Sequence, residues 1–257
     1  MPLNICKIFL TFSIISLSCL FLSCSKDIST KAESVSPKLI LWAWERPENF
    51  NFVASKETGV AFLAQTIQLK NNEATILSRH QPLVIPDGVF VIAVTRIETD
   101  KKEKSVLSPE QLKKAVEAIF KTASLKNVKA VQIDFDALVT EREFYKGLLI
   151  GLRKQLPQQI QLKITALASW CIHDGWIKDA PIDEAVPMLF RMGIDEQNIV
   201  SYLNANNDWR EPLCRQSYGI SLDEPARKID ATRRLYVFNP RSWTKEDLLK
   251  INDKVAR

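Results

Sequence analysis

Two aspartates at the end of an apolar segment have the residue type and the spacing that acid/base catalysis needs. Residues 128–136 alternate in polarity, which predicts a β-strand that ends in Asp134 and Asp136. Aspartate is depleted from strands, so a pair at a strand end indicates a site. Glycoside hydrolysis uses two carboxylates, one as the acid and one as the nucleophile or base. The alternative is a solvated acidic loop that follows a buried strand.

The alternation of this strand also assigns its two faces. Side chains two residues apart point the same way, so polar residues share one face and apolar residues share the other. The polar face carries Gln132, Asp134 and Asp136, and the apolar face carries Val131, Ile133 and Phe135. A capping box at residues 140–143 predicts that a helix follows directly. A strand that ends in acids and continues into a helix is typical of α/β barrels.

Seven other apolar segments are also predicted to be strands, and helical patterns separate most of them. The eight segments begin near residues 38, 60, 89, 128, 161, 185, 218 and 234. Alternating strands and helices predict parallel pairing, here in one compact (β/α)8 TIM-like barrel of the α/β class over residues 38–257. An open doubly wound sheet is the competing architecture, but no glycine-rich phosphate turn follows the first strand.

Some helices of this barrel are easier to predict from the sequence than others. The clearest helix begins after Ser108, where Pro109 and Gln111 complete a capping box. Others are expected near residues 141–156 and 195–203 and after Thr244, with a brief helix within residues 47–57. Residues 71–88 carry turn residues and a short strand pattern at 74–77. We therefore expect no regular helix between strands two and three.

Polar and aromatic residues cluster where the predicted strands end, and a barrel brings those ends together on one face. Three more acids at these ends are candidates for a second catalytic carboxylate: Glu98, Asp223 and Glu224. Indoles stack on the apolar faces of sugar rings, while carboxylates, amides and guanidiniums bind sugar hydroxyls. The candidate substrate-binding residues are Trp42, Glu45, Gln65, Arg96, Trp170, Arg191, Asn239 and Trp243. The alternative role for such aromatic residues is packing at the barrel rim.

Three segments together resemble a family of uncharacterised bacterial proteins, the domain-of-unknown-function family three-one-four-two. They are Gln132-Ile-Asp-Phe-Asp136, Ile164-Thr-Ala-Leu-Ala-Ser-Trp-Cys171 and Ala185-Val-Pro-Met-Leu-Phe-Arg-Met-Gly193, and the resemblance covers most of residues 38–243. That family is distantly similar to chitinase-like glycoside hydrolases, whose fourth strand ends Asp-x-Asp-x-Glu. Matched by position, Gln132, Asp134 and Asp136 stand at those three acids. The resemblance implies an acid role for Asp136, although Gln132 and Asp136 depart from the pattern.

The amino-terminal segment is predicted to be a signal peptide over residues 1–23. Lys7 precedes an apolar stretch that is too short to span a bilayer. Phe21-Leu-Ser-Cys24 resembles the bacterial lipoprotein box, which implies that Cys24 is lipidated and that residues 24–37 are a membrane tether. Phe21 replaces the usual leucine, so a secreted form without lipid is the alternative. The expected location is the bacterial cell envelope, facing the periplasm or the exterior.

Two of the five cysteines remain when the signal peptide and Cys24 are set aside. Cys171 follows the fifth predicted strand, and Cys214 precedes the seventh. Because these positions belong to opposite ends of a barrel, we expect two free, mostly buried thiols. A disulfide is the alternative, since two cysteines of an exported chain can pair.

Charge and motif content argue against several other functions. The net charge of +5 is modest and the basic residues are scattered, so no nucleic-acid partner is expected. The sequence contains no Walker loop and no Gly-x-Ser-x-Gly elbow. His80 and His173 are the only histidines and lack the spacing of metal ligands, with Asp134, Asp136 and His173 as a remaining alternative set. We expect no cofactor, no metal and a monomer.

Taken together, these patterns predict an envelope lipoprotein whose barrel hydrolyses a polysaccharide or oligosaccharide. In this prediction Asp136 is the acid/base and Asp134 is its electrostatic partner. The alternative keeps the barrel without a working acid pair, as a carbohydrate-binding or envelope-assembly lipoprotein.

Overall fold

The computed structural model describes residues 36–53, 57–100 and 104–256 of the chain. The predicted signal peptide, the predicted lipidation site at Cys24 and nearly all of the predicted tether lie outside the described residues. Within the described ranges, no helix combines the length and the apolar character needed to cross a membrane.

Eight parallel strands close into a barrel, which confirms the predicted α/β fold. Each strand pairs with the next, and the last strand returns to the first, where Leu235 pairs with Leu39. The strands are apolar runs because the barrel interior buries one face and the helices bury the other. In chain order they are β1 (Leu39–Ala43), β2 (Thr58–Lys70), β3 (Phe90–Thr99), β4 (Val128–Asp134), β5 (Gln161–Leu167), β6 (Glu184–Met188), β7 (Ser217–Ser221) and β8 (Arg234–Phe238).

The described chain contains four α-helices, which fall where the sequence predicts them: α1 (Pro109–Thr122), α2 (Arg142–Gln155), α3 (Glu196–Asn204) and α4 (Lys245–Lys254). The capping box of α1 is formed in full. Ser108 Oγ accepts a hydrogen bond from Gln111 N–H at 3.3 Å, and Gln111 Oε1 accepts one from Ser108 N–H at 3.0 Å. The apolar side of α1 then packs into the core between the helices and the strands.

Between β2 and β3 the described chain has no helix, in agreement with the sequence. An antiparallel strand, Glu73–Ser78, pairs with β2 instead. The brief helix predicted within residues 47–57 was wrong for the described part of that range. There Glu48–Asn49 pairs as a short strand with Leu83–Val84, and the Glu48 carboxylate accepts a hydrogen bond from Trp243 N–H at 2.9 Å. These contacts hold the segment extended and outweigh its weak helical pattern.

The amino-terminal end of the barrel encloses a buried charge network. Lys163 Nζ lies 2.7 Å from Glu184 Oε2 and 3.2 Å from the Tyr236 hydroxyl. Arg234 Nη1 lies 2.6 Å from the other Glu184 oxygen. Burial opposes ionisation of Glu184, but the charges of Lys163 and Arg234 outweigh it and lower the pKa of Glu184 to about 2. The barrel interior therefore holds an ionised carboxylate at this end.

Cys171 and Cys214 form a disulfide, so the prediction of two free thiols was wrong. Their Cα atoms are 5.9 Å apart. After β5 the chain turns into a helical segment, Trp170–Asp174, and the segment before β7 runs beside it. Glu211 N–H donates a hydrogen bond to the Cys171 carbonyl at 3.1 Å. Both cysteines thus lie in connecting segments outside the strands, and the path of such segments does not follow from strand ends.

Replacing Glu184 with glutamine is expected to lower the free energy of unfolding by about 3–5 kcal/mol at pH 7, because Lys163 and Arg234 are then buried without a countercharge. The pKa of Glu184 is about 2 in the fold, below the ordinary value of 4.5 that applies to the unfolded chain. Its stabilising contribution is therefore present above about pH 4.5 and is lost as the pH falls towards 2. Urea denaturation between pH 7 and pH 3 measures both effects.

The matched control for this variant is Glu143→Gln, which removes an exposed ion pair with Lys146. Exposed pairs contribute little, so this variant is expected to unfold like the wild type. An unchanged unfolding free energy in Glu184→Gln at pH 7 would contradict the stabilising role of the buried network.

Reducing the Cys171–Cys214 bond is expected to lower the free energy of unfolding by roughly 2–4 kcal/mol, because a cross-link over 43 residues restricts the unfolded chain. Urea denaturation with and without dithiothreitol measures the change. A Cys171→Ser, Cys214→Ser double variant is the control and should not respond to dithiothreitol. Alkylation of both thiols in the denatured, unreduced protein would show that the bond does not form.

Candidate active site

The strand β4 delivers its acids to the mouth of the barrel, on the face that its alternation predicts. Asp134 ends the strand and lines a cleft together with Asp136. Ile133 and Phe135, on the opposite face, pack into the core between the strands and the helices. The two aspartates therefore share one cleft, with Gln132 fully buried on the same face of the strand.

Two neighbouring strands hold the Asp134 carboxylate in place. Arg96 is the residue opposite Asp134 on β3, and its Nη1 lies 2.9 Å from Asp134 Oδ2. The Thr165 hydroxyl on β5 donates a hydrogen bond to Asp134 Oδ1 at 2.7 Å. Both carboxylate oxygens are thus engaged, and the side chain is only 6% exposed. Asp134 is a fixed negative charge in the floor of the cleft.

The second aspartate, Asp136, is exposed to the cleft. Partial burial by the cleft walls raises the pKa of Asp136 above its ordinary value, and the negative charge of Asp134 raises it further. The positive charge of Arg96 offsets part of this rise. A carboxyl group with a raised pKa keeps its proton to higher pH, which is the property that a general acid needs.

The cleft has two lobes, which share Trp44, Arg96, Arg191 and Phe238. The aspartate lobe has a volume of about 260 Å³ and is the lobe that contains Asp134, Asp136 and Asp195. The arginine lobe has a volume of about 610 Å³ and adds Arg46, Leu63, Thr66, Glu98, Ser221, Asn239 and Pro240. The two lobes are therefore neighbours that meet at these four residues.

The other predicted acids contact the arginines of the cleft. Glu98 lines the arginine lobe, and its Oε1 lies 2.9 Å from Arg96 Nε. Asp223 Oδ2 lies 3.1 Å from Arg191 Nη2. Glu224 Oε1 accepts a hydrogen bond from Arg191 N–H at 2.9 Å. These three carboxylates therefore surround and orient the two cations, rather than facing Asp136 across the aspartate lobe.

Several cleft residues were absent from the predicted site, among them Phe238, Asp195 and Trp44. Asp195 lines the aspartate lobe and is exposed there, and its only sequence signal is its position at the start of the helix after β6. Trp44 lines both lobes, with the Arg96 guanidinium 5.5 Å from its ring centroid. Trp44 follows β1 at its carboxyl end, which is the signal that could have selected it over Trp42.

Burial gives no support to a stacking role for the three predicted tryptophans. Trp42 is completely buried inside the barrel, with its ring centroid 4.6 Å from that of Trp44. Trp170 packs edge-on against Trp176, 4.9 Å between centroids, in the outer core. Trp243 is also buried, and its Nε1–H donates a hydrogen bond to the Trp42 carbonyl at 2.9 Å. These rings lie behind the cleft wall and line neither lobe.

Gln65, a predicted substrate-binding residue, lies on the outside of the barrel. A β-bulge after Leu63 shifts the alternation of β2 by one residue. The Gln65 side chain consequently donates a hydrogen bond to Thr95 Oγ1 at 3.1 Å and lines a groove beside Lys114 of α1. Its position is therefore opposite to the one that uninterrupted alternation predicts.

Glu45 and Asn239 occupy supporting positions at the mouth. The Glu45 carboxylate accepts hydrogen bonds from the backbone N–H groups of His80 at 2.8 Å and Gln81 at 3.1 Å, which fixes that connection. Asn239 lines the arginine lobe, but its side-chain amide donates a hydrogen bond to Asp247 at 3.2 Å. Neither side chain is aimed at Asp136.

His173 lies apart from the two aspartates. It belongs to the segment Trp170–Asp174 and lines a separate groove with Lys178 and Arg210. Among the residues that the structure describes, no three His, Cys, Asp or Glu side chains are grouped so that they could hold a metal ion. The alternative set Asp134, Asp136 and His173 is therefore not brought together.

Comparisons with known proteins give distant structural likenesses only. No family model matches the chain, and no curated protein matches it. The chain is similar to the crystal structure of the Bacillus cereus spore cortex-lytic enzyme SleL, with 13% sequence identity and a TM-score of 0.46. The match covers 73% of this chain and 52% of that chain, so this chain spans about half the length of that enzyme. A likeness at this level transfers no activity or substrate.

Replacing Asp134 with asparagine is expected to lower the pKa of the Asp136 carboxyl, because it removes a neighbouring negative charge that raises that pKa. Carbon-13 NMR titration of labelled aspartate side chains measures the shift. Asp179→Asn is the control, since Asp179 is exposed and lines neither lobe. Equal Asp136 pKa values in the wild type and in Asp134→Asn would show that the two carboxylates are not coupled.

Proposed function

We propose that this chain hydrolyses a polysaccharide in the bacterial cell envelope, with Asp136 as the general acid/base and Asp134 as its electrostatic partner. One observation carries the proposal. An exposed carboxyl group with a raised pKa stands in an open cleft beside a second carboxylate that is fixed by an arginine and a threonine. Carboxyl groups in different environments take different protonation states, which is the division of labour that glycoside hydrolysis uses.

In this mechanism protonated Asp136 donates its proton to the oxygen of the glycosidic bond as that bond breaks. The negative charge of Asp134 favours the protonated form of Asp136 before the reaction, and it stabilises the positive charge that develops on the sugar ring. Asp195 is the proposed second carboxylate that activates a water, because it lines the same lobe. The water oxygen bonds to the sugar carbon that loses the glycosidic oxygen, and the proton of the water passes to Asp195. Proton exchange with solvent then returns Asp195 to its ionised form and Asp136 to its protonated form.

Trp44 and Phe238 are the proposed sugar-contacting surfaces, because they line both lobes. Arg96, Arg191 and Asn239 line the arginine lobe. Arg191 offers donors to the ligand, whereas Arg96 is bound to Asp134 and Glu98 and the Asn239 amide to Asp247. Both lobes together accommodate more than one sugar unit, so the proposed substrate is an oligosaccharide or a polysaccharide chain.

The second candidate function is carbohydrate binding without catalysis. It is favoured by Gln132, which stands where chitinase-like enzymes carry the first acid of their motif. Its side chain is completely buried, and neither its amide nitrogen nor its oxygen has a hydrogen-bond partner in the described structure. A chain that lacks this acid and has the shorter Asp136 in place of glutamate can still bind a glycan in the same cleft.

The envelope location forms part of the proposal. It rests on the signal-like residues 1–23 and on the lipoprotein-box resemblance at Cys24. The Cys171–Cys214 bond supports it, since disulfides persist in oxidising compartments outside the cytosol. The membrane is then reached through the lipid on Cys24, and the barrel acts as a monomer.

The test is a glycan-release screen with soluble protein that starts at Ser25, using cell-wall and storage polysaccharides. Asp136→Asn is expected to lower the rate of release by about two to four orders of magnitude, because it removes the general acid. Asp195→Asn is expected to lower the rate as well, whereas Asp179→Asn should match the wild type. A thermal-shift measurement with the same glycans reports binding separately.

The outcomes of this screen distinguish the two candidate functions. Release by the wild type that is lost in Asp136→Asn supports the hydrolase. Glycan binding without release, unchanged in Asp136→Asn, supports the binding protein. The absence of both release and binding across the glycans would remove both candidate functions.

A further inference from the structure

Arg191 lies at the boundary between the two lobes of the cleft. It lines both lobes and its side chain is 59% exposed, the highest exposure among the cleft arginines. Its backbone has φ of +50°, a left-handed conformation that is uncommon for residues other than glycine. Such a conformation persists where the surrounding contacts enforce it, and it recurs at functional sites.

Contacts from the end of β7 enforce this conformation. Glu224 Oε1 accepts a hydrogen bond from Arg191 N–H at 2.9 Å. The other Glu224 oxygen lies 3.4 Å from Arg227 Nη2, which in turn lies 2.7 Å from Glu196 Oε1 at the start of α3. This chain of charges ties β6, β7 and α3 together around Arg191. The orientation of the arginine is therefore set by the fold.

The other two arginines of the cleft have little left to offer a ligand. Arg96 is bound to both Asp134 and Glu98, each at 2.9 Å. Arg46 donates hydrogen bonds to the backbone carbonyls of Asn239 and Pro240. Arg46 Nε also lies 3.3 Å from Glu48. The guanidinium groups of Arg96 and Arg46 are therefore already bound to carboxylates and carbonyls of the protein itself.

Arg191 keeps unused donors on an exposed side chain that lines the cleft. Its guanidinium carries five N–H groups, and the ion pair with Asp223 uses one nitrogen, Nη2, at 3.1 Å. The group lies over the Phe190 ring, 5.7 Å from its centroid, which supports one side of the guanidinium plane. A planar guanidinium with free donors matches the two oxygens of a carboxylate.

Charge also selects the lobe in which such a carboxylate would bind. The aspartate lobe contains Asp134, Asp136 and Asp195, which repel an anion. Among the residues that line the arginine lobe, Glu98 is the sole acid, and it is paired with Arg96. A ligand anion therefore fits on the arginine-lobe side of Arg191.

We propose that Arg191 binds a carboxylate of the glycan in the arginine lobe, so that the chain selects acidic polysaccharides over neutral ones. The inference rests on the proposed carbohydrate function, and it names the substrate class of that cleft. The bond to be cleaved would lie over the aspartate lobe, and the acidic sugar would occupy the neighbouring position in the arginine lobe.

The experiment measures binding without cleavage, in the Asp136→Asn background, so that it does not depend on catalysis. The probes are an array of oligosaccharides in matched pairs, neutral and carboxylated on the same backbone. The carboxylate belongs to a uronic acid in one set and to an ether-linked lactyl group in the other. We expect the carboxylated member of one set to bind about ten-fold more tightly or better, as a charge-assisted contact provides.

The variants assign that preference to Arg191. Arg191→Gln is expected to abolish it, and Arg191→Lys to keep part of it, because lysine retains the charge without the planar fork. Glutamine, lysine and arginine tolerate the left-handed backbone equally well, so neither variant is expected to change the stability of the fold through the backbone. Arg210→Gln is the matched control, since Arg210 is exposed and lines a different groove. It should keep the full preference.

The failures of the two proposals are distinguishable. Binding of neutral and carboxylated glycans with equal affinity, or a preference that survives Arg191→Gln, would overturn the carboxylate subsite and leave the carbohydrate function in place. Binding of no glycan of either kind would overturn both.

Discussion

The ion pair between Arg96 and Asp134 is the interaction on which the geometry of the cleft depends. Both side chains come from neighbouring strands and point into the barrel mouth, where they stand opposite each other. A one-residue irregularity in the pairing of β3 with β4, between Val91 and Ile92, creates this register. Without it, Arg96 would stand opposite Ile133, whose side chain points outwards. The nearly buried carboxylate would then lack its countercharge, a costly state for a desolvated anion.

The two ends of the barrel use similar residues for opposite purposes. At the amino-terminal end Glu184 is surrounded by Lys163 and Arg234, is sealed from solvent, and contributes to the fold. At the carboxyl-terminal end Asp134 is likewise paired with a cation, Arg96, but Asp136 beside it is exposed to the cleft. Exposure of the neighbouring group therefore separates a structural charge network from one that can take part in chemistry. This division agrees with the general placement of active sites in such barrels.

Strand patterns predicted the barrel and the faces of β4, because a period of two is a local property of the chain. They placed Asp134 and Asp136 together, but they did not give the depth of a side chain within the barrel. Trp42 lies in β1 and Trp44 follows that strand with the same alternation, yet only Trp44 reaches the cleft. The β-bulge after Leu63 places the Gln65 side chain on the opposite face of β2, and the alternation of residues in the sequence does not show this bulge.

Other features escaped prediction because they depend on the paths of connections. The disulfide joins two connecting segments that pass side by side. Asp195 lies on the connection between β6 and α3, which also supplies Phe190, Arg191 and Met192 to the aspartate lobe. The residues that hold Arg191 come from the end of β7, far from it in sequence. Local propensity says little about such contacts, since they are set by how distant segments pack.

The pairing of β1 with β8 has a consequence for how the molecule is made. Leu39 lies beside Leu235, and the Trp42 carbonyl accepts a hydrogen bond from Trp243, so the first strand of the barrel is completed by the eighth, which is synthesised after the other seven. Until then β1 has an open edge, which is a template for pairing with other chains. Contacts so distant in sequence also form slowly. The edge of β1 that pairs with β8 therefore stays available to other chains until the eighth strand of the barrel has been made.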